Sequence, residues 1–243
     1  MPAAMSLSPM GEYARRHESD RFLAAQLAPP DLRDDFYTLI AFHHELGAIA
    51  SKVKEPMMGT IRLQWWREAV MAIGQGQAAP AHEVLTPLAD LVRRHQLPVA
   101  DLLAMIDSHE RDFADEPWQS AQDLAAQAQA QALPLLQLQF RLAGLEVTPS
   151  TDVAALMGVV DIICQRRMAP LTAPDMAGLH TQLVGRHKYQ TGNRLQRRLQ
   201  VGGKLADYAL RQLKTAGFDA DHPRARMPHP LRGPMLVWGA AFW

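Results

Sequence analysis

Cysteine is almost absent from this sequence, because Cys164 is the only one among 243 residues. One cysteine cannot form a disulfide within the chain, and such scarcity is typical of proteins that work in a reducing compartment. Paired-cysteine redox and zinc motifs are excluded for the same reason. We therefore expect a cytoplasmic protein in which Cys164 is a packed, unreactive thiol, as free cysteines commonly are.

The sequence also lacks an excess of charge of either sign, since 25 Lys and Arg balance 25 Asp and Glu. A basic excess is the usual mark of nucleic-acid binding, so we expect no nucleic-acid partner. Residues 186–214 are a local exception, with eight basic residues and Asp207 as the only acid. Two interpretations stay open for this segment: a solvated helix face, or a surface for anionic lipid heads, a diphosphate or an acidic partner.

Long apolar runs and several catalytic motifs are missing as well. The longest strongly apolar uncharged stretch covers only residues 234–243, whereas a membrane-spanning helix needs about 20 residues. Peripheral contact with the inner membrane is left open by this observation. The sequence has no Gly-rich phosphate loop, Gly-x-Ser-x-Gly elbow or His-Glu-x-x-His run, which excludes P-loop enzymes, α/β-hydrolases and zincin proteases.

What is present is a helical pattern along almost the whole chain. Alanine, leucine, glutamine and arginine dominate, and runs of β-branched residues are rare, which favours helices over strands. Apolar residues repeat every three or four positions over residues 32–53, which predicts a long helix with Asp31 as its N-cap. Pro56 and Gly59 are expected to break the chain before a second helix over residues 60–73. Further helices are predicted at 81–95, 98–114, 118–144, 150–168, 175–199 and 202–216.

These helices are expected to form one domain over residues 1–243, because the sequence shows no internal repeat and no domain boundary. Residues 121–139 are rich in alanine and glutamine, and we predict an ordered helix there whose small side chains allow close packing. The segment 217–243 contains several prolines and is predicted to be an irregular tail that packs on the bundle. The predicted fold class is therefore all-α, as a single helical bundle.

A first group of candidate site residues is Arg62, Trp65, Trp66 and Arg67. Adjacent tryptophans on a helix point about 100° apart, so both cannot face the same direction. One interpretation places one tryptophan in the core and the other at an interface, with the arginines solvated or paired. The other is an aromatic wall with a cation beside a hydrophobic ligand.

A second group consists of His43, His44, Asp107 and Asp112. Metal-binding bundles use Glu-x-x-His spacing on facing helices, and neither segment has it. His43 and His44 diverge by about 100° on a helix and are poorly placed to share one ion. We therefore predict a hydrogen-bonded polar pair at a helix interface rather than a metal site.

Between residues 20 and 67 the sequence contains a series of short segments that match one protein family: Asp20-Arg21-Phe22-Leu23, Pro30, Arg33, Ile40-Ala41-Phe42, Glu45-Leu46, Glu55-Pro56 and Ile61-Arg62-Leu63-Gln64-Trp65-Trp66-Arg67. In these segments the sequence resembles the squalene/phytoene synthase family. The similarity continues more weakly to about Pro170, and residues 59–67 are its most specific block. The segment Phe218-Asp219-x-x-His222-Pro223 is similar to the end of a subgroup that serves in the assembly of respiratory complex I.

The resemblance implies an isoprenoid-synthase-type bundle with a central cavity. Active members of the family join two prenyl diphosphates with Mg²⁺, which is held by two aspartate-rich motifs. Here residues 44–51, at the first motif, contain only the acid Glu45, and residues 159–167, at the second, contain only Asp161. Hard cations need carboxylate oxygens, and without them several kcal/mol of transition-state stabilisation would be lost.

The resemblance therefore implies, first, a catalytically degenerate member that acts as a binding or assembly factor, with a respiratory complex subunit or another assembly factor as partner. Such a protein would need no cofactor, although its cavity would still be able to hold an isoprenoid or lipid-like molecule. Phe42, Trp65 and Trp66 would line that cavity, and Arg62 or Arg67 would meet an anionic head group.

The competing implication is an active prenyl transferase that condenses farnesyl or geranylgeranyl diphosphate with rearranged metal ligands. The candidate ligands for Mg²⁺ would then be Glu45, Asp107, Asp112 and Asp161. Of these, Glu45 and Asp161 stand at the two motif positions and are the candidate catalytic residues.

Overall fold

The computed structural model describes residues 7–114, 118–166, 173–184, 193–219 and 221–223. Within these ranges every regular element is helical, which confirms the predicted all-α class. Two short 3₁₀ turns lie at Pro30–Leu32 and Glu110–Phe113. The α-helices of the described residues are α1 (Pro9–His17), α2 (Ser19–Ala25), α3 (Arg33–Lys52), α4 (Pro56–Gly74), α5 (Leu85–His95), α6 (Val99–Asp107), α7 (Ala121–Leu142), α8 (Thr151–Arg166), α9 (Ala173–Leu183), α10 (Arg194–Leu199) and α11 (Gly202–Thr215).

Helix α3 lies at the centre of the bundle and contacts α1, α2, α4, α5, α6, α7 and α8. Its apolar residues are buried on more than one side, as Phe36, Ile40 and Leu46 show. The predicted N-cap was wrong: α3 begins at Arg33, with Leu32 at the cap position and no capping side chain. The physical reason is that Pro30 starts a 3₁₀ turn, so Asp31 lies inside that turn.

Helix α4 begins four residues earlier than the sequence predicted. Pro56 is its first residue, a position where the missing N–H of proline costs no hydrogen bond. Gly59 lies inside the helix and does not break it. A Cβ at Gly59 would lie 2.1 Å from ring atoms of Phe113, so this glycine is needed for close packing against the second 3₁₀ turn.

The alanine-rich segment forms an ordered helix, as predicted. Helix α7 begins at Ala121, and Ser120 caps it by accepting a hydrogen bond from the Asp123 backbone N–H. Helix α7 packs on α8 so closely that a Cβ on Gly158 would lie 2.0 Å from the Ala128 carbonyl oxygen. Small side chains at this crossing bring the two backbones into contact, and α9 and α11 complete a second apolar core beside them.

Two helices before α3 were not predicted. Ser8 caps α1 by accepting a hydrogen bond from Gly11 N–H, and Pro9 is the first helical residue. Helix α2 follows after Glu18, and both helices pack on α3. These two helices bring Tyr13, Glu18 and Arg21 to the polar residues of the bundle.

The predicted helix over residues 175–199 is two helices in the described residues. Helix α9 ends at Leu183, and α10 begins at Arg194 after the capping residue Asn193. Residues 185–192 between them, most of the predicted tail, and the side chain of Cys164 lie outside the described residues. Among the described helices, none has the length and apolar character to cross a bilayer.

Candidate functional site

A buried ion pair joins α2 to α8 at the position of the second family motif. Arg21 Nη1 lies 2.9 Å from Asp161 Oδ1, and Arg21 Nη2 lies 2.5 Å from Asp161 Oδ2. The two side chains are only 9% and 18% exposed. Bidentate arginine–carboxylate pairs are the strong, geometrically defined form of this interaction. Asp161, the only acid of the second motif, is therefore bound to a cation of its own chain.

Glu18 extends this pair into a network with α3. Arg21 Nη1 also donates to Glu18 Oε2 at 3.0 Å, and His44 Nδ1 lies 2.9 Å from Glu18 Oε1. We call Glu18, Arg21, His44 and Asp161 the central ion-pair network. The network joins α2, α3 and α8 with little exposure to water.

The pKa values of the network follow from burial and from its charges. Burial opposes ionisation of Glu18, but Arg21 and His44 outweigh it and hold the pKa of Glu18 at about 2. Burial likewise opposes the charged form of Arg21, yet Asp161 and Glu18 raise its pKa above the ordinary value. Burial raises the pKa of Asp161, and Arg21 counteracts that rise.

His43 lies beside the network and differs from its neighbour His44. The side chain is 2% exposed, and its Nδ1 has no hydrogen-bond partner among the described residues. Burial, reinforced by the nearby Arg21 charge, lowers the pKa of His43 well below its ordinary range. The predicted hydrogen-bonded pair therefore holds for His44, which binds Glu18, whereas His43 is a neutral core histidine with an unpaired nitrogen.

A second polar group lies across from His43. The rings of His43 and His109 are 6.4 Å apart, and His109 Nδ1 lies 2.8 Å from Asp112 Oδ2. Gln131 Nε2 on α7 donates to Asp112 Oδ1 at 2.9 Å. Both oxygens of Asp112 are therefore engaged by the chain itself.

Glu45, the only acid of the first motif, has its own partners. Tyr13 on α1 donates a hydrogen bond to Glu45 Oε1, and Lys52 Nζ lies 3.5 Å from Glu45 Oε2. Burial acts to raise the pKa of Glu45, but Tyr13 and Lys52 lower it overall. Burial and the Glu45 carboxylate raise the pKa of Tyr13. Glu45 is thus bound by α1 and by the end of its own helix, and it shares no partner with Asp161.

The two tryptophans of α4 face different directions, as the sequence predicted. Trp66 is 4% exposed and meets the fully buried Phe42 edge-on, with ring centroids 5.5 Å apart. Trp65 is 40% exposed. His82 contacts both indoles, at 5.8 Å from Trp65 and 5.0 Å from Trp66. Phe42 and Trp66 therefore belong to the core, while Trp65 reaches the surface.

The two candidate arginines of α4 also differ. Arg67 Nη2 lies 2.6 Å from Asp107 Oδ1 and 2.6 Å from Glu110 Oε1, so it ties α4 to the end of α6. Arg62 is exposed and makes no ion pair with any acid among the described residues. Arg62 and Trp65 are three positions apart on α4 and are therefore neighbours on its surface.

The described residues do not fit a magnesium cluster. Each of the four candidate acids is engaged by the chain: Glu45 by Tyr13 and Lys52, Asp107 by Arg67, Asp112 by His109 and Gln131, and Asp161 by Arg21. Across the described ranges, no group of three or more His, Cys, Asp or Glu is arranged to hold a metal ion. At the two motif positions, a metal would have to compete with Tyr13 and Lys52 for Glu45 and with Arg21 for Asp161.

Arg21 also lines a narrow cavity between α2, α7 and α8. Its volume is about 20 Å³, and its walls include Leu135, Gln139 and Met157. Such a volume holds about one water molecule. This cavity is too small for a prenyl chain.

Sequence reasoning missed the residues that engage the motif acids. Arg21 stands inside the matching segment of residues 20–23, yet its pairing with Asp161 was not predicted. Tyr13 and Glu18 were missed because α1 and α2 were not predicted as helices. The sequence did contain one signal, the Ser8-Pro9 pair, which is a common start of a helix.

Comparisons with known proteins agree with this architecture. The squalene/phytoene synthase family model matches residues 14–188. A solved structure, squalene synthase HpnC from Alicyclobacillus acidocaldarius, superposes with a TM-score of 0.60 over 86% of this chain and 93% of that chain. At 14% identity, this likeness shows the fold alone.

Curated relatives carry the name NADH dehydrogenase (ubiquinone) complex I, assembly factor 6. The Bos taurus protein is 29% identical over 147 residues, and the Homo sapiens protein is 26% identical over 147 residues. Each match covers 60% of this chain and 44% of the relative, so the match spans less than half the length of these relatives. The family match, in contrast, covers most of the chain and includes both motif positions, together with Glu18 and Arg21. The chain therefore belongs to the squalene/phytoene synthase family.

Proposed function

We propose that this chain is a binding or assembly factor that keeps the synthase fold without its prenyl-transfer chemistry. The observation that carries the proposal is the buried bidentate pair between Arg21 and Asp161. To bind Mg²⁺, Asp161 would have to leave this guanidinium. Separating a buried ion pair costs about 3–5 kcal/mol, because it leaves an uncompensated charge in the interior.

The state of Glu45 supports the same proposal. Its two oxygens are engaged by Tyr13 and Lys52, so the first motif offers no unoccupied carboxylate either. Mg²⁺ sites in phosphoryl and diphosphate chemistry depend on carboxylates that bind the metal directly. We therefore propose that the function requires no bound Mg²⁺.

The names of the curated relatives suggest the kind of partner. The curated relatives, whose matches cover 60% of this chain, are named complex I assembly factors. On this basis we propose a protein partner in the assembly of a respiratory complex, either a subunit or another assembly factor. The proposed place of action is the cytoplasmic side of the inner membrane.

A hydrophobic ligand remains part of the proposal. Phe42 and Trp66 are closed into the core, whereas Trp65 and Arg62 are accessible on α4. An isoprenoid or lipid-like molecule with an anionic head would therefore meet Trp65 and Arg62 first.

The proposed loss of prenyl-transfer activity is tested by measuring the release of diphosphate. Purified protein is incubated with farnesyl or geranylgeranyl diphosphate and Mg²⁺ or Mn²⁺, beside an active family synthase as the positive control. We expect no release above the rate of a heat-denatured sample. Release that disappears in both Glu45→Gln and Asp161→Asn would overturn the proposal in favour of an active prenyl transferase with atypical ligands.

The assembly role is tested by complementation. The gene is deleted in its own organism, and assembled complex I and NADH:ubiquinone activity are measured. We expect assembly to fall on deletion and to recover with the wild-type chain and equally with Glu45→Gln, since no metal ligand is needed. Normal complex I after deletion would contradict the proposed partner.

A further inference from the structure

The first three turns of α4 expose an apolar surface that no described part of the chain covers. Met57 is 72% exposed, Met58 46%, Ile61 54% and Trp65 40%. We call these four residues the apolar tip of α4. They make up four of the six most exposed large hydrophobic residues in the described ranges. Contiguous exposed apolar surface marks a site of interaction, whereas single exposed side chains need no explanation.

The four side chains share one face of the helix. At about 100° per residue, Met57, Ile61, Trp65 and Met58 fall within an arc of about 100°. Gly59 and Leu63 are the only buried residues from Lys54 to Trp65, and Val53 before them is partly buried. The start of α4 therefore projects from the bundle, with an apolar side turned to the surroundings.

Basic residues surround the tip. Lys54 and Arg62 are exposed and pair with no acid among the described residues. Lys52 is half-exposed and makes one long contact of 3.5 Å with Glu45. Glu55 is the one acid among residues 52–62. The projecting segment thus combines an apolar face with a local excess of positive charge in a chain that is neutral as a whole.

We propose that the apolar tip of α4 inserts into the head-group layer of a membrane that carries anionic lipid. Lys52, Lys54 and Arg62 would then lie at the level of the lipid phosphates. Helices that lie in the interface combine an apolar face containing tryptophan with flanking Lys and Arg. The proposal goes beyond the assembly role and does not depend on whether any catalysis remains.

The charges favour a lipid surface over a protein partner. Lysine is depleted at protein–protein interfaces relative to the rest of a protein surface. Near an anionic membrane, in contrast, each Lys or Arg is attracted to the lipid surface. The two lysines and Arg62 around the tip therefore match the charge of lipid phosphates.

The contribution of the apolar tip of α4 to membrane binding is tested by sedimentation with lipid vesicles. Wild-type protein is mixed with vesicles of phosphatidylcholine alone or with vesicles that also contain phosphatidylglycerol. The test variant is Met57→Gln with Ile61→Gln. The matched control is Val147→Gln, because Val147 is 47% exposed on the loop between α7 and α8. We expect the partition coefficient to fall by about tenfold or more in the double variant and to stay unchanged in the control.

The electrostatic contribution is tested by charge reversal. Lys54→Glu with Arg62→Glu should abolish the preference for vesicles that contain phosphatidylglycerol, and added salt should weaken wild-type binding in the same way. The control Arg93→Glu reverses an exposed charge on α5 and should leave binding unchanged. Circular dichroism and thermal unfolding verify folding, which exposed substitutions should not disturb.

Three outcomes would overturn the proposal. The first is a wild-type protein that binds neither kind of vesicle. The second is equal vesicle binding by Met57→Gln with Ile61→Gln and by wild type. The third is a concentration-dependent dimer, seen by light scattering, that the double variant loses while vesicle binding does not change. That third outcome would assign the tip to a second copy of the chain. None of these outcomes bears on diphosphate release or complementation, so the two proposals fail separately.

Discussion

Arg21 is the residue on which the central ion-pair network depends. Its guanidinium contacts Glu18 and Asp161 at once, and all three side chains are largely shielded from water. Two buried carboxylates near each other repel unless a cation lies between them. In this chain the cation is a side chain, which cannot leave as a metal ion can.

Replacing Arg21 with Met should therefore destabilise the protein strongly. We expect the free energy of unfolding in urea at pH 7 to fall by about 3–5 kcal/mol, since two buried carboxylates lose their counter-charge. Arg15→Met is the control, because the Arg15–Glu12 pair is exposed and should contribute less than about 1 kcal/mol. A loss for Arg21→Met no larger than that of the control would show that the pair does not stabilise the fold.

His43 should give the stability a defined dependence on pH. Its pKa is depressed in the folded protein, so the unfolded state binds the extra proton as pH falls below the ordinary value of 6.5. The contribution of His43 to the free energy of unfolding is therefore constant above that pH, and the free energy falls by about 1.4 kcal/mol per pH unit below it. In His43→Leu the slope should become shallower by the contribution of His43, while the lowered pKa values of His17 and His180 leave the rest. Stability at pH 7 should change little, because the Nδ1 atom of His43 has no partner among the described residues.

The measurement for His43 is a series of urea unfolding curves between pH 7 and pH 5. His95 is a suitable control, since it lies near the surface and binds Asp35 at 2.7 Å. His95→Leu should leave the slope assigned to His43 in place. Parallel pH profiles of wild type and His43→Leu would refute this assignment.

At the scale of elements, the close crossing of α7 and α8 sets the position of Asp161. Gly158 precedes Asp161 by three residues and lies against the Ala128 backbone. Because backbone atoms cannot rotate aside as a side chain can, any larger residue at position 158 must push the helices apart. This contact therefore helps to hold α8 where Asp161 can reach Arg21.

Gly158→Ala should therefore destabilise the protein although alanine favours helices. The added Cβ would lie 2.0 Å from the Ala128 carbonyl oxygen, and relief of this overlap should cost about 3 kcal/mol or more. Gly178→Ala on α9 is the matched control. Among the described residues, no atom outside its own helix backbone lies within 4 Å of its added Cβ, so it should stabilise by about 1 kcal/mol. Thermal unfolding of the two variants decides the prediction, which equal melting temperatures would contradict.

The helices were predicted with uneven success for identifiable physical reasons. Helices α3 and α7 have long periodic apolar patterns, and the sequence located them well, whereas α5 begins at Leu85, four residues after the predicted start. Helices α1 and α2 are short, and their stability depends on packing against α3 rather than on their own periodicity. Since Tyr13, Glu18 and Arg21 come from this part, the partners of both motif acids were missed with it.

At the scale of the whole molecule, we predict that divalent metal ions do not change the stability of the protein, because the four candidate acids are already bound by other side chains. A ligand that binds the folded state raises its stability in proportion to the logarithm of its concentration. Because the four candidate acids already have partners, we expect Mg²⁺, with or without diphosphate, and EDTA to leave the melting temperature unchanged. A rise with Mg²⁺ that is absent in Asp161→Asn would refute this expectation and would revive the metal-dependent alternative.

The sequence by itself determined the class of the fold and the family. Helical periodicity is a local property, so it can be recognised from neighbouring residues, as in α3 and α7. The family block at residues 59–67 and the single acids Glu45 and Asp161 at the two motif positions are likewise properties of the chain as written.

Only the tertiary structure decided what became of those acids. Arg21 and Asp161 are 140 positions apart, and they meet because α2 and α8 pack on the same central helix. Tyr13 reaches Glu45 across 32 positions for the same kind of reason. A contact of this kind depends on how whole helices pack, which no local pattern encodes. The acids could therefore be recognised in the sequence, whereas their partners are a consequence of the packing.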